Sequence, residues 1–218
     1  MENEKLLRQL ARKGADKNRL AATVIQHPEM VPQLIAGLSS DQADVKFGSS
    51  KVLVLVSERA PAIIYPKIRC FIDLLDCENK ILKWSAIRVI GNLGGVDAKN
   101  RIDRLLGRYL SHIAGPELIT ASNVIGGATK IAMAKPRLTD TVVGAILNVE
   151  KARYRTPECR NVALGQAIEA FDQLYERTEL KESIAKLVKK QLKNPRNATR
   201  KKAEKFAKKW LTSGPPTV

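Results

Sequence analysis

The sequence predicts an all-α protein in which about five to six helical hairpins stack into a right-handed α–α superhelix. Three observations predict it. A phrase of about a dozen residues recurs along the chain at intervals of about 35 to 37 residues. Within each copy the apolar residues fall at helical spacing, and no segment alternates with the period of a strand. Of the 218 residues, 44% are hydrophobic and 28% charged, the balance of a folded chain able to bury a core.

The recurrence is visible by direct alignment. Val45, Lys46, Phe47, Ser49, Val52 and Leu53 register with Leu82, Lys83, Trp84, Ala86, Val89 and Ile90. The phrase 86–91 returns at 121–126, where Val124-Ile125-Gly126 repeats Val89-Ile90-Gly91, and more weakly at 160–165. A hairpin of this size cannot bury its apolar face alone, so its copies must stack.

Each copy has the same grammar. In the clearest, Pro66 opens a first helix, A, carrying Ile68, Phe71, Ile72 and Leu75 on one face. The polar turn 76–79 follows, and then a second helix, B, with Leu82, Ala86, Val89, Ile90 and Leu93 on one face. Gly94-Gly95 is expected to close it in the left-handed conformation. In the preceding copy Val31, Leu34, Ile35 and Leu38 form the A stripe, and Val45, Ser49, Val52, Leu53 and Val56 the B stripe. Downstream, helices are predicted over 100–110, 116–134, 139–151, 157–175, 180–192 and 198–211. The expected organisation is one domain over 1–212. It has an N-terminal cap pair (1–28), repeats at 29–60, 65–95, 100–135 and 139–176, and a basic cap pair (180–211), followed by a disordered tail at 213–218. Gly126-Gly127 reads as a close approach of helices.

The phrase 74–93, with Leu82-Lys83-Trp84-Ser85-Ala86-Ile87-Arg88-Val89 at its centre, resembles the consensus of HEAT and armadillo repeats. The ending Asn197-Ala198-Thr199-Arg200-Lys201-Lys202-Ala203 through Trp210 is similar to that of small bacterial HEAT-repeat proteins. The resemblance covers nearly the whole chain and implies architecture. Its members are mostly scaffolds and adaptors whose B helices line the concave side of the superhelix, and the small bacterial ones have no generally assigned activity. The tryptophan, leucine-glycine and tyrosine pattern of tetratricopeptide repeats is absent, as is the Thr-Pro-Leu-His phrase of ankyrin repeats.

Catalysis has few carriers. His27 and His112 are the two histidines, without an H-E-x-x-H arrangement, and no Walker A loop, dinucleotide fingerprint or G-x-S-x-G elbow is present. Neither a metal nor another cofactor is expected. Cys70, Cys77 and Cys159 form an odd, irregularly spaced set that reads as free thiols on helices. One enzymatic reading comes through resemblance, since DNA alkylpurine glycosylases are built on HEAT-like repeats and use tryptophan, aspartate and arginine. Trp84 and Arg88 are one helical turn apart, but Asn92 stands where an aspartate would follow, and inter-repeat packing accounts better for Trp84, because Phe47 occupies the equivalent position in the preceding copy.

Two surfaces remain as binding candidates. The first is a polar ladder on the B helices, formed by Lys51, Arg88 and Asn123 with Trp84, Asn92 and Gln166 nearby. It suits hydrogen bonding to an extended peptide or a partner helix, as the asparagines of armadillo proteins do, and equally suits plain solvation. The second follows from a formal net charge of +16. Lys186, Lys189, Lys190, Lys193, Arg196, Arg200, Lys201, Lys202 and Lys205 crowd the last hairpin, where they either bind nucleic-acid phosphates or solvate a terminal repeat. Aromatic residues, 5% of the chain, are not interleaved with them. The expected function is therefore a non-catalytic scaffold that binds a macromolecule, foremost a protein, on its concave B-helix face, with nucleic-acid binding as the alternative. A cytoplasmic location is expected, because no secretion signal opens the sequence and the densest apolar run, 52–56, is far too short to span a bilayer. No membrane partner is anticipated.

Overall fold

Helices form wherever the apolar spacing is helical, and caps and prolines set their ends, as seen in a computed structural model that describes residues 6, 9–12 and 14–212. The expected tail at 213–218, and residues 1–5, 7, 8 and 13 of the expected cap pair, lie outside the described residues. The chain divides into two compact units, Met1–Ile102 and Asp103–Val218.

In the first unit, α1 (Lys17–Gln26) begins at Asp16, whose Oδ1 accepts from the backbone N–H groups of Asn18 and Arg19 at 2.9 and 3.1 Å. That carboxylate satisfies donors that have no partner inside the helix. A short A helix, α2 (Val31–Gly37), pairs with the long B helix α3 (Ala43–Arg59). All five residues assigned to the α3 stripe are buried, and so are Val54, Leu55 and Ser57. Apolar residues run continuously over 52–56 because α3 is packed on several sides, by α1, α2 and the next B helix, α5 (Lys80–Asn92).

The A helix of the second hairpin departs from expectation. It begins at Pro61, with one turn over Pro61–Ile64 and a tight 3₁₀ turn over Tyr65–Lys67, and continues as α4 (Ile68–Asp73). Pro66 lies inside this run, where its missing N–H breaks the helical ladder and divides the helix. Ile68, Phe71 and Leu75 are buried as predicted. Asn79 caps α5, its Oδ1 accepting from Ile81 and Leu82 N–H at 3.1 and 3.2 Å. The left-handed closure expected at Gly94-Gly95 is not made. Leu93–Val96 tightens into a 3₁₀ turn, and the left-handed residue lies further on at Asn100 (φ 50°).

The second unit comprises α6 (Arg101–Ser111, beginning two residues before the division), α7 (Leu118–Ala134), α8 (Thr139–Leu147), α9 (Pro157–Leu174), α10 (Lys181–Gln191) and α11 (Asn197–Trp210). Its B helices α7, α9 and α11 pack in sequence, and α8 and α10 lie against them as A helices. Tyr109, Ile146, Phe171, Ile184 and Phe206 are among its fully buried side chains.

Polar bonds between residues one repeat apart set the register of this stack. Tyr154 Oη donates to Ile113 O, Thr178 Oγ1 to Asp140, Lys190 Nζ to Glu150, Arg196 to Glu158 and Trp210 Nε1 to Asp172, at sequence separations of 38 to 41 residues. Apolar stripes alone would tolerate sliding. Directional bonds at fixed spacing do not.

The three cysteines are free and half-buried. Cys70 and Cys159 are helical as expected, whereas Cys77 sits in the turn before α5, where its thiol donates to Asn79 O. Among the described residues no helix is long and apolar enough to cross a membrane.

Candidate functional site

The B helices carry the polar residues singled out by the repeat, and the structure uses several of them internally. In the first unit Lys51 is exposed on α3. Arg88, at the equivalent position of α5, reaches back to Glu58 on α3, its Nη2 lying 2.7 Å from Oε1. One turn further on, Asn92 Nδ2 donates to Ser57 Oγ at 2.9 Å. Trp84 is half-buried. Arg88 and Asn92 therefore staple α5 to α3, and only part of the expected ladder is turned to solvent in this unit.

In the second unit Asn123 Nδ2 donates to Ile119 O, one turn back on its own helix, which leaves the amide oxygen for another donor. Gln166 is placed differently. Its Oε1 is buried without a hydrogen-bond partner among the described residues, so that oxygen is not presented to a ligand.

The surroundings of Asn123 were not legible from periodicity. Ile119 is 51% exposed and Met133 38% exposed, and both lie on the face of α7 that carries Asn123. Gly126 sits between them, exposed, with nothing within 4 Å of where a β-carbon would be. The close helix packing expected at Gly126 is therefore absent, and its neighbour Gly127 is the buried member of the pair. Ile119, Asn123, Gly126, Lys130 and Met133 follow one another at alternating steps of four and three, the spacing of a helix–helix seam.

The close approach occurs instead at the equivalent glycine of the next B helix. A β-carbon on Gly165 would lie 2.8 Å from Thr199 Oγ1 on α11.

The basic hairpin is partly neutralised. Lys190 pairs with Glu150 at 2.7 Å, Arg196 with Glu158 at 2.9 Å, Lys202 with Glu169 at 2.8 Å and Arg200, more loosely, with Glu204 at 3.9 Å. Arg200 also donates to Asn194 O and Asn197 Oδ1. Lys186, Lys189, Lys193, Lys201 and Lys205 are exposed. Near the end of α11, Asp172 accepts from Lys209 Nζ and Trp210 Nε1 at 2.9 and 2.7 Å. Burial works to raise the Asp172 pKa, but these bonds and the nearby lysine charges outweigh it and hold the carboxyl below its ordinary range. The Trp210 ring packs against Tyr175 and lies under the Lys209 ammonium, so it is not free as a stacking platform. A cleft of about 520 Å³ lies between α9 and α11, lined by Asp172, Lys201, Lys202, Lys205 and Phe206 among others.

Among the described residues no group of three or more His, Cys, Asp or Glu side chains could hold a metal ion. The two strongly raised tyrosines owe their shift to burial. Tyr109 is fully enclosed, and Tyr154 is pushed up to about 12 beside its bond to Ile113 O.

With this geometry in place, comparison with solved structures defines the class. The chain is similar to a designed armadillo repeat protein, with a TM-score of 0.62 and 14% identity over 94% of this chain and 90% of that one. It is also similar to two engineered proteins from the Northeast Structural Genomics Consortium. The first has a TM-score of 0.56 and 14% identity, covering 95% of this chain and 96% of the other. The second has a TM-score of 0.57 and 12% identity, covering 97% of this chain and 54% of the other. The fold is that of an armadillo-type helical-repeat protein. No family profile matches the chain, and no curated protein matches it.

Proposed function

We propose that this protein is a non-catalytic helical-repeat scaffold that receives a protein partner on its B-helix face, at α7 of the second unit. The observation that carries this reading is the seam of Ile119, Asn123, Gly126, Lys130 and Met133. Ile119 and Met133 expose apolar surface at its ends, Asn123 offers an amide oxygen, and Gly126 allows a second backbone to come close. A seam stepping by four and three residues fits the apolar face of an amphipathic helix better than an extended strand, whose side chains repeat every second residue. The net charge of +16 favours a helix with acidic flanks, because complementary charge speeds encounter and disfavours basic competitors.

Selection from a library of displayed helical peptides against the full chain tests the reading. Enriched peptides should carry apolar residues at spacings of three and four beside acidic ones, and should bind roughly tenfold more weakly to an Ile119→Asp/Met133→Asp variant. Both substituted side chains are exposed, so the variant should keep the wild-type thermal midpoint. Failure to enrich such peptides, or equal binding to the variant, would overturn the assignment. The enzymatic alternative makes its own demand: free base must be released from alkylated duplex DNA, and the release must be lost in Arg88→Ala. The Arg88–Glu58 pair gives that arginine a structural role without substrate.

A further inference from the structure

The bonds that join successive turns of the second unit also gather a band of positive charge that the last hairpin does not contain by itself. The turn leading into α9 contains Lys151 and Arg153, and the first turn of α9 adds Arg160, near two acids, Glu150 before the turn and Glu158 on the helix. Both acids are committed across the repeat, Glu150 to Lys190 and Glu158 to Arg196. Asn194 Nδ2 donates to Asn161 Oδ1 at 3.2 Å, and Thr199 Oγ1 donates to Asn161 O at 2.7 Å. The A-to-B turns before α9 and α11, with the helix ends that flank them, are thus held side by side. Each bridge consumes one acid and one base. Lys151, Arg153, Arg160, Lys189 and Lys193 are left exposed, and none of them pairs with a carboxylate among the described residues.

We propose that this rim of two adjacent A-to-B turns binds the phosphate backbone of a nucleic-acid duplex without regard to sequence. Neighbouring helices pack roughly 10 Å apart, so two turns side by side span about three base-pair rises of 3.4 Å along the duplex axis. Arginine offers phosphate a fork of donors, and lysine offers a mobile point charge. A single strand is a poorer fit, because it needs an exposed aromatic face. Tyr154, the aromatic residue within the turn before α9, is half-buried with its hydroxyl bound to Ile113 O. A membrane surface is also a poorer fit, since the turn offers no exposed large apolar side chain to insert. This rim is distinct from the α7 seam, so the two proposals stand or fall separately. It also moves the nucleic-acid contact away from Lys201, Lys202 and Lys205 of α11 toward the preceding turn.

Fluorescence anisotropy on the full chain with a short labelled duplex, titrated with salt, tests the proposal. Single-stranded RNA, heparin and phosphatidylserine vesicles serve as separate competitors. Binding should weaken steeply with salt, and each phosphate contact removed should flatten the log–log slope by about 0.9. An Arg153→Glu/Arg160→Glu/Lys193→Glu variant should therefore lose about 2.7 from the slope, whereas Lys205→Glu/Lys208→Glu should change it far less. Thermal unfolding of both variants verifies that the fold is kept. Three outcomes would overturn the proposal: equal loss in the two variants, duplex binding no tighter than heparin, or preference for single strands or vesicles.

Discussion

The hydroxyl of Thr199 lies 2.8 Å from the point where a β-carbon on Gly165 would sit. It is held there by donating a 2.7 Å hydrogen bond to Asn161 O on the same helix as the glycine. This approach is closer than the 3.1 Å approach of Leu10 to Gly48, and it joins α9 to α11. Gly165→Ala must push the threonine off its acceptor or part the helices. The expected cost is about 1–3 kcal/mol in urea denaturation. Thr199→Ala in the same background should recover part of that loss by opening space, although it gives up the hydrogen bond. Gly126→Ala, with open space around it, should be neutral or slightly stabilising, because alanine restricts the unfolded chain more than glycine does.

Asn79 caps α5 through two backbone N–H groups. Asn79→Ala should lower stability by about 1 kcal/mol, whereas Asn79→Asp or Asn79→Ser should be nearly silent. Urea midpoints of the three variants, compared at constant m-value, check this.

Asp103 accepts from Lys135 Nζ at 2.6 Å and also bonds the Arg137 guanidinium. Burial pushes its pKa up, but the two cations outweigh burial, and the carboxyl ends below its ordinary value of 3.8. A carboxylate whose folded pKa is depressed adds stability that is fully present above the unfolded value. That stability is lost as pH falls through the folded one. Unfolding free energy should therefore decline as the solution is acidified below pH about 4, and Asp103→Asn should flatten that part of the decline while lowering stability at neutral pH. Thermal midpoints measured across the acid range read both effects.

Asp172 anchors the last helix by accepting from Trp210 and Lys209. Removing the carboxylate leaves the half-buried indole N–H without its acceptor, at a cost of about 1–3 kcal/mol. In Asp172→Ala the amides of α11 should lose hydrogen-exchange protection, while those of α7 keep theirs, since terminal elements open locally before the whole unit does.

Arg88 and Glu58 remain partly exposed, at 42% and 31% of their side-chain surfaces, so a double-mutant cycle between them should give under about 1 kcal/mol. A much larger coupling would mean that the bridge does more than staple α5 to α3.

The helices themselves were legible in the amino-acid order, because spacing, caps and turns are local signals. Val45, Ser49, Val52, Leu53 and Val56 are buried on α3 as their spacing predicts. Pro157 opens α9 where the helix was predicted to begin, and Asn79, the last residue of the predicted polar turn, caps α5. Pro66 and Gly94 misled for a physical reason. Proline marks a first turn only when no helical turn precedes it, and glycine permits the left-handed conformation without requiring it.

Which polar side chains face solvent was decided by tertiary structure, since exposure depends on residues about one repeat away. Arg88, Asn92 and Lys190 look like available surface groups in the linear sequence, and each is met by Glu58, Ser57 or Glu150 from the preceding repeat. The same long-range bonding set the positive rim. Lys151, Arg153 and Arg160 belong to one repeat, Lys189 and Lys193 to the next, and only the bridges between them make one surface. The sequence determined the helices and their repeating apolar faces, because each depends on neighbours within a few turns. Tertiary packing determined the charge left over, because neutralisation depends on partners that chain order keeps far apart.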